Sequence, residues 1–333
     1  MPTFCRHNRL VQNCPICSRE QDIEPRPLVS SSSPSTPTSG SQRVARRPAA
    51  AKPLRARRAA DSGGVIVRRA GSTVDDGYRS GAVPGLKSSR EAERLAEELA
   101  FAAARLDQLE QSPPGEYAAV ADATGDLEER TWLAFLIAYL GPLEQAEDPF
   151  SAIRSVRASW ASGETPSLDG VQTGPRTAHQ SGPGTQTLQA YRRWAERTGS
   201  QAAAFRGDAG WTPERRFARV LERLALPALH RGARFDLLVT LGRTGVYELR
   251  ADSLVLGGGD PVTLAAKRAF GIGDVMLLER RAAHLAQAAE IPLEALDLGF
   301  FNWERGERIR AGMGRDLEPD PGVLVTVSAA LGL

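Results

Sequence analysis

The stretch GGGDPVTLAAKRAFGIGD, residues 257–274, carries the reading from which the rest of the chain follows. Three glycines end whatever precedes them and let the backbone approach a ligand closely. Asp260 then stands where a helix N-cap belongs, and Pro261 takes the first helical position. Val262, Ala265, Ala266, Ala269 and Phe270 fall on one side of the helix that follows, with the basic pair Lys267 and Arg268 beside them. A carboxylate is therefore offered at a helix N-terminus, at the edge of a loop, with cations within two turns. The same features also suit a well-capped helix with no chemistry, and the neighbouring segments have to separate the two readings.

Those segments are helical. Ser89–Leu109 keeps Leu95, Leu99, Ala102, Ala103 and Leu106 at helical spacing, with Ser89 as candidate N-cap. Asp126–Leu140 is apolar nearly all round in its second half, as a central helix is, and Gly141-Pro142 stops it. Asp148-Pro149 opens a further helix over FSAIRSVRASWA. After a loop, helical patterns resume at Leu188–Arg197, Thr212–Leu224, Ala233–Leu241, Pro261–Phe270, Val275–Ala289 and Pro292–Leu298. The only strand-like stretch is Val246–Leu256. The expectation is an all-α domain with short connections, covering residues 90–315 and followed by a C-terminal tail, 316–333.

The beginning of the chain is different in kind. Residues 21–89 are rich in Ser, Pro, Ala, Gly and Arg and show no apolar period, which predicts a disordered linker. Within it, residues 41–69 hold nine basic residues against one acid, Asp61, a local net charge of +8 in a chain whose total is +2. The cationic character belongs to this arm and not to the helical part. A basic disordered arm suits loose, salt-sensitive attachment to nucleic acid, and equally a solubilising spacer. No run of 18 apolar residues is present, which predicts no membrane span, and no apolar leader opens the sequence. The expected compartment is the cytoplasm, where thiols stay reduced.

All three cysteines lie in the first seventeen residues, beside one of the four histidines: Cys5, His7, Cys14 and Cys17, in the pattern C-x-H-x6-C-x2-C. Three thiolates and an imidazole at this spacing match a closed, tetrahedral Cys3His zinc site, so residues 1–20 read as a zinc knuckle. So short a segment cannot fold by packing, and metal binding would supply its folding energy. A site with four protein ligands leaves no position for water, so this zinc would be structural.

The helical order also resembles something known. A helix (Pro213–Leu224), a short hairpin (Leu226-Pro227-Ala228-Leu229-His230-Arg231-Gly232), another helix (Ala233–Leu241), about twenty residues and then the helix opened by Asp260 resemble the helix-hairpin-helix DNA glycosylase superfamily. More closely, the domain is similar to the alpha-glutamyl/putrescinyl thymine pyrophosphorylase family, clade 3. The residues carrying this are TWLAFLIAYLGPLE (131–144), DPFSAI (148–153), RFDLLVTLGRTGVYEL (234–249), DPVTLAAKRAFGIGD (260–274), LLERRAAHLA (277–286) and LEALDLGFFNWER (293–305). The superfamily hairpin normally has two glycines whose amides grip a DNA phosphate. In this chain Ala228 occupies the first site and Gly232 remains, with His230, Arg231 and Arg234 as candidate substitutes by charge.

The resemblance implies DNA as partner and Asp260 as the catalytic carboxylate. In a pyrophosphorylase-like reaction, the amine of glutamate or putrescine displaces pyrophosphate from the 5-methylene of a modified thymine. Asp260 would deprotonate the amine, and Lys267 or Arg268 would steady the leaving group. In a glycosylase, which could act against modified phage DNA, Asp260 would stabilise the cationic sugar and orient water. Either enzyme draws the nucleotide out of the duplex. Trp132 and Tyr139, seven residues apart on one helix, could stack on it or belong to the core, and Asn302 could read a base edge or cap a helix. Two non-catalytic readings stand beside these: a DNA-binding module of the same fold, and an interaction protein using the zinc motif.

Overall fold

A computed structural model describes residues 74–333, and the calls on the zinc motif and the basic arm lie outside the described residues. Among the described residues there are twelve helices and no strand. The first, α1 (Ser89–Gln111), is long and alanine-rich, and it buries Leu95, Leu99, Ala102, Leu106 and Leu109. Two short helices, α2 (Glu116–Ala121) and α4 (Ser151–Val156), flank α3 (Leu127–Leu140). The first turn of α3 is capped by Asp126, whose carboxylate accepts the Glu129 amide. From Thr131 to Leu140 only Ala138 is not buried, which is the all-round apolar character read in the sequence. Then follow α5 (Gly184–Glu196), α6 (Gln201–Arg206), α7 (Pro213–Arg223), α8 (Arg231–Arg243), α9 (Pro261–Phe270), α10 (Val275–Ala288), α11 (Ala295–Arg305) and α12 (Pro321–Leu331).

The helices pack in two groups. In one, α1 carries α11 and α12 along its length, and α9 lies on α11 with α10 beside it. Gly299 permits the close approach of α11, because a Cβ there would stand 2.7 Å from Leu99 Cδ2. In the other group α3 packs on α8, and α5, α6 and α7 complete the shell. Contacts between α8 and α1 join the groups, so the N-terminus of α8 and that of α9 meet at the junction.

Five sequence expectations change. The strand-like Val246–Leu256 is irregular backbone with no partner strand among the described residues. Carboxylates replace the partner strand: Glu279 accepts the Leu254 and Leu256 amides at 2.9 and 2.5 Å, and Glu294 accepts that of Ala251 at 3.2 Å. The folded part begins before residue 90. Val83 and Leu86 are fully buried, the Gly85 amide donates to the Ala269 carbonyl, and Asp76 rather than Ser89 satisfies the start of α1 by accepting the Ser89 amide and hydroxyl. The expected tail forms α12, which packs on α1. Helix α4 stops at Val156, short of its apolar pattern, where the chain turns to set the Trp160 ring 5.5 Å from Trp132. The helix expected at 292–298 starts at Ala295 and runs on to Arg305, ended by left-handed Gly306.

Candidate active site

The site is built from the two helix starts. Between α7 and α8 the chain turns through Leu224–His230, and Ala228 sits there at φ +58°, a left-handed conformation that favours glycine. The backbone shape that glycine would permit is thus present without the glycine. His230 caps α8: its Nδ1 accepts the Ala233 amide at 3.2 Å, and its Nε2 donates to the Thr177 carbonyl at 3.0 Å. These two bonds require the neutral ring with the proton on Nε2. Arg234 Nη1 donates to the Leu221 carbonyl at 3.0 Å and ties α8 back to α7. Gly232 shows no left-handed φ, and a Cβ there would make only ordinary contacts with His230 and Arg176.

Asp260 caps α9, as its sequence context predicts. Its Oδ1 accepts the Val262 amide at 3.2 Å, and its Oδ2 accepts the Thr263 hydroxyl. It does more than cap. Arg231, in the first turn of α8, donates to the same Oδ1 from Nε at 3.2 Å and Nη2 at 3.1 Å. The Asp260 side chain is 21% exposed, so the carboxylate reaches the surface beside Gly258 and Gly259, both exposed. A Cβ at any of Gly257, Gly258 or Gly259 would meet nothing within 4 Å. Packing does not demand the three glycines, although Gly258 at φ +63° has a backbone conformation that favours one.

Behind Asp260 runs a chain of alternating charges. Arg231 Nη2 donates to Asp297 Oδ1 at 2.6 Å, Arg176 Nη2 to Asp297 Oδ2 at 2.5 Å, and Arg176 Nε to Asp236 Oδ2 at 2.7 Å. Asp297 is 2% exposed. Burial works against its charge, but the guanidiniums of Arg231 and Arg176 outweigh burial and hold its carboxyl below the usual carboxylate range. Burial likewise opposes the charge on both arginines. Asp297 with Asp260 around Arg231, and Asp236 with Asp297 around Arg176, raise their pKa values regardless. Arg231 also donates to the Leu254 carbonyl at 2.9 Å, and Arg176 lies over the Phe301 ring at 4.5 Å. Arginine suits such a node because its fork meets two carboxylates at once and keeps its charge when buried.

The other residues singled out in the sequence fall elsewhere. Lys267 lies seven residues along α9 from Asp260, about 10 Å by helical rise, and forms no ion pair among the described residues. Arg268 stacks 3.7 Å over the Trp303 ring and pairs with Glu304 and Glu91. Trp132 and Tyr139 do share a face, but both are fully buried. They stack with Phe135 at 5.4 and 5.6 Å within an aromatic core, where no base can reach them. Asn302 is buried and structural: it accepts the Ile309 amide and donates to Glu98 and to the Ile309 carbonyl. Of the predicted set, Asp260, Arg231, His230 and Gly232 come together.

Sequence reasoning missed Arg176, Asp236, Asp297 and Thr263. Two signals were present. Asp297 is a lone acid among Leu296, Leu298 and Phe300 in a helix that is otherwise apolar there. Thr263 stands three residues after the capping aspartate, where a side chain can reach back to the cap. Among the described residues no cluster of His, Cys, Asp and Glu could hold a metal ion. Comparison with known proteins gives no match, whether to family models, to curated proteins or to solved structures.

Proposed function

We propose that this protein is a DNA base-processing enzyme acting on a modified thymine or other pyrimidine, similar in kind to the alpha-glutamyl/putrescinyl thymine pyrophosphorylases. The helical part is proposed to be of the helix-hairpin-helix DNA glycosylase type, with α7, the turn at Ala228 and α8 as its hairpin and Asp260 as its reactive carboxylate. One observation carries the reading. Asp260 is held by a buried arginine, a backbone amide and a hydroxyl, yet keeps one side open to solvent beside a glycine loop. A carboxylate that served only as a cap would not need a charged chain three further residues deep.

The chemistry follows from those partners. The substrate's amine, glutamate or putrescine in the pyrophosphorylase-like reaction, is oriented near the 5-methylene by the Asp260 carboxylate and gives it a proton, so that the nitrogen lone pair forms the C–N bond as the C–O bond to pyrophosphate breaks. A second reading, excision of the modified base, is favoured by one specific feature. Oδ1 already accepts from Arg231 and Val262, so Asp260 is better placed to stabilise a developing positive charge than to take a proton. That is what hydrolysis through a cationic sugar needs. Lys267 is then a surface cation on α9, and the leaving group's charge would have to be met from outside the α9 helix end.

The zinc knuckle at Cys5, His7, Cys14 and Cys17 and the basic arm at 41–69 are proposed as attachments that raise affinity for DNA without selecting sequence. Incubation of the full chain with duplexes bearing assorted 5-substituted pyrimidines, followed by mass analysis, tests the reading. An amine adduct retained in the DNA supports displacement, and a released base supports excision. No change in any substrate, with glutamate and putrescine supplied, counts against an enzyme and leaves the DNA-binding module.

A further inference from the structure

We propose that the outer face of α7 is a binding surface for the phosphate backbone of DNA, organised by Trp211. The inference rests on DNA as the substrate and extends to a surface that no other part of the reading uses. Arg215, Arg219 and Arg223 are all exposed and stand at i, i+4 and i+8 of the helix, so they form one row about 12 Å long. The opposite face of α7 is the buried one, with Arg216, Phe217, Val220 and Leu221 turned into the core. The row therefore lies on the side facing solvent, and Arg223 brings it up to the turn that leads to His230.

Trp211 distinguishes this row from an ordinary solvated face. It precedes α7, and its half-exposed ring lies within reach of both ends of the row: Arg223 Cζ is 5.1 Å from the ring centroid and Arg215 Cζ 5.9 Å. The ring is locked in position. Gly207, at φ +58°, has no side chain where a Cβ would lie 2.4 Å from the indole. The Trp211 amide donates to the Asp208 carbonyl at 3.2 Å, and its own carbonyl accepts from Arg216 Nη2 at 3.2 Å. An indole so seated orders two guanidinium planes before any ligand arrives, which lowers the ordering cost of binding.

The charges fit an extended anion. Arg215 and Arg223 form no ion pair among the described residues, so their donors are free. Arg219 is engaged by Glu222 at 3.2 Å, but both side chains are mostly exposed. Such a pair contributes little and is readily exchanged for phosphate. Glu214, Asp208 and Glu248 are other acids near this end of the helix; Glu248 pairs with Arg216, and none of the three pairs with the row among the described residues. A row of guanidiniums ending at the hairpin suits a strand that continues from the bound nucleotide along the protein surface.

The test measures binding of the full chain to plain, unmodified duplex DNA as a function of salt. The variant carries Arg215→Gln, Arg219→Gln and Arg223→Gln together. Each lost phosphate contact removes roughly 0.9 from the slope of log K against log salt, so the expected reduction is up to about 2.7. The Arg→Lys version of the same three positions should keep the slope, which separates lost charge from damaged fold. Trp211→Leu, with all three arginines present, should weaken binding while changing the slope little. A triple Gln variant with the parent's slope overturns the inference and leaves the proposed reaction at Asp260 standing. It would point instead to an acidic protein as the occupant of this face. A parent chain that does not bind DNA at all overturns both.

Discussion

Arg231 and Asp297 meet at 2.6 Å in the interior, and the same arginine holds Asp260 at 3.1 Å at the surface. One guanidinium thus links the buried acid of α11 to the exposed acid that opens α9. The position of the surface carboxylate is set from inside the protein, through a group that cannot lose its proton.

Asp260→Asn separates a cap from a catalyst. Asn caps a helix about as well as Asp, and Arg231 keeps its stronger partner, Asp297. The variant should fold with near-normal stability and still bind DNA. Turnover should fall at least about a hundredfold, the low end for losing a group that acts in the transition state. Full activity in this variant on a substrate the parent processes would make Asp260 a cap alone.

Asp297→Asn keeps the shape of the side chain and removes its charge. It leaves two buried arginines sharing a neutral partner, and the cost should be about 3 kcal/mol or more, as for breaking a buried pair. The pH dependence follows from the lowered pKa in the folded state. In the unfolded chain the carboxyl titrates near about 3.9. Its contribution is therefore complete above that value and is lost as pH falls through the lower folded value. Urea midpoints of parent and variant should differ most at neutral pH and converge in the acid range below about pH 4. A constant gap down to that range would show that charge is not what Asp297 supplies.

Ala228→Gly should stabilise the protein. A left-handed alanine is strained by about 1–2 kcal/mol, and glycine's greater freedom in the unfolded chain returns part of that, leaving a gain of about 0.5–1 kcal/mol. The denaturation midpoint should rise with an unchanged m-value. Gly207→Ala should act in the opposite sense, since it adds both the left-handed strain and a collision with Trp211.

The N-terminal motif should hold one zinc per chain through Cys5, His7, Cys14 and Cys17. Metal analysis of the full chain and of a chain lacking residues 1–20 measures this. Zinc-free protein after metal-replete expression would remove the motif from consideration.

What was legible in the sequence was local. Asp-Pro at the start and glycine at the end fixed α9 to the residue, at Pro261–Phe270, because capping depends on neighbours a few positions apart. The charge chain was not legible, because its bonds join residues 60, 66 and 121 positions apart. No period within one helix records such a pairing. Trp132 and Tyr139 show the complementary limit. Helical spacing places them on one face, but α3 is apolar nearly all round, so the pattern holds no mark of which way that face turns. Val246–Leu256 has the composition of a strand but an irregular backbone, with Val255 at φ +52°. What it lacks is a neighbouring strand, and the glutamates that take its place lie far along the chain.

The packing of α1 on α11 and α12 sets the order of events during synthesis. A ribosome makes α1 long before its partners: some 180 residues separate Gln111 from Ala295, about ten to forty seconds at ordinary elongation rates. For that interval the face of α1 that α11 and α12 will cover stays open, with α8 an earlier helical neighbour, while α3 can already meet α8. The α3–α8 group is thus the part able to assemble on the ribosome, and the half that carries Asp260 closes afterwards. A nascent chain stalled before α11 would leave exposed the face of α1 that α11 and α12 cover in the complete protein.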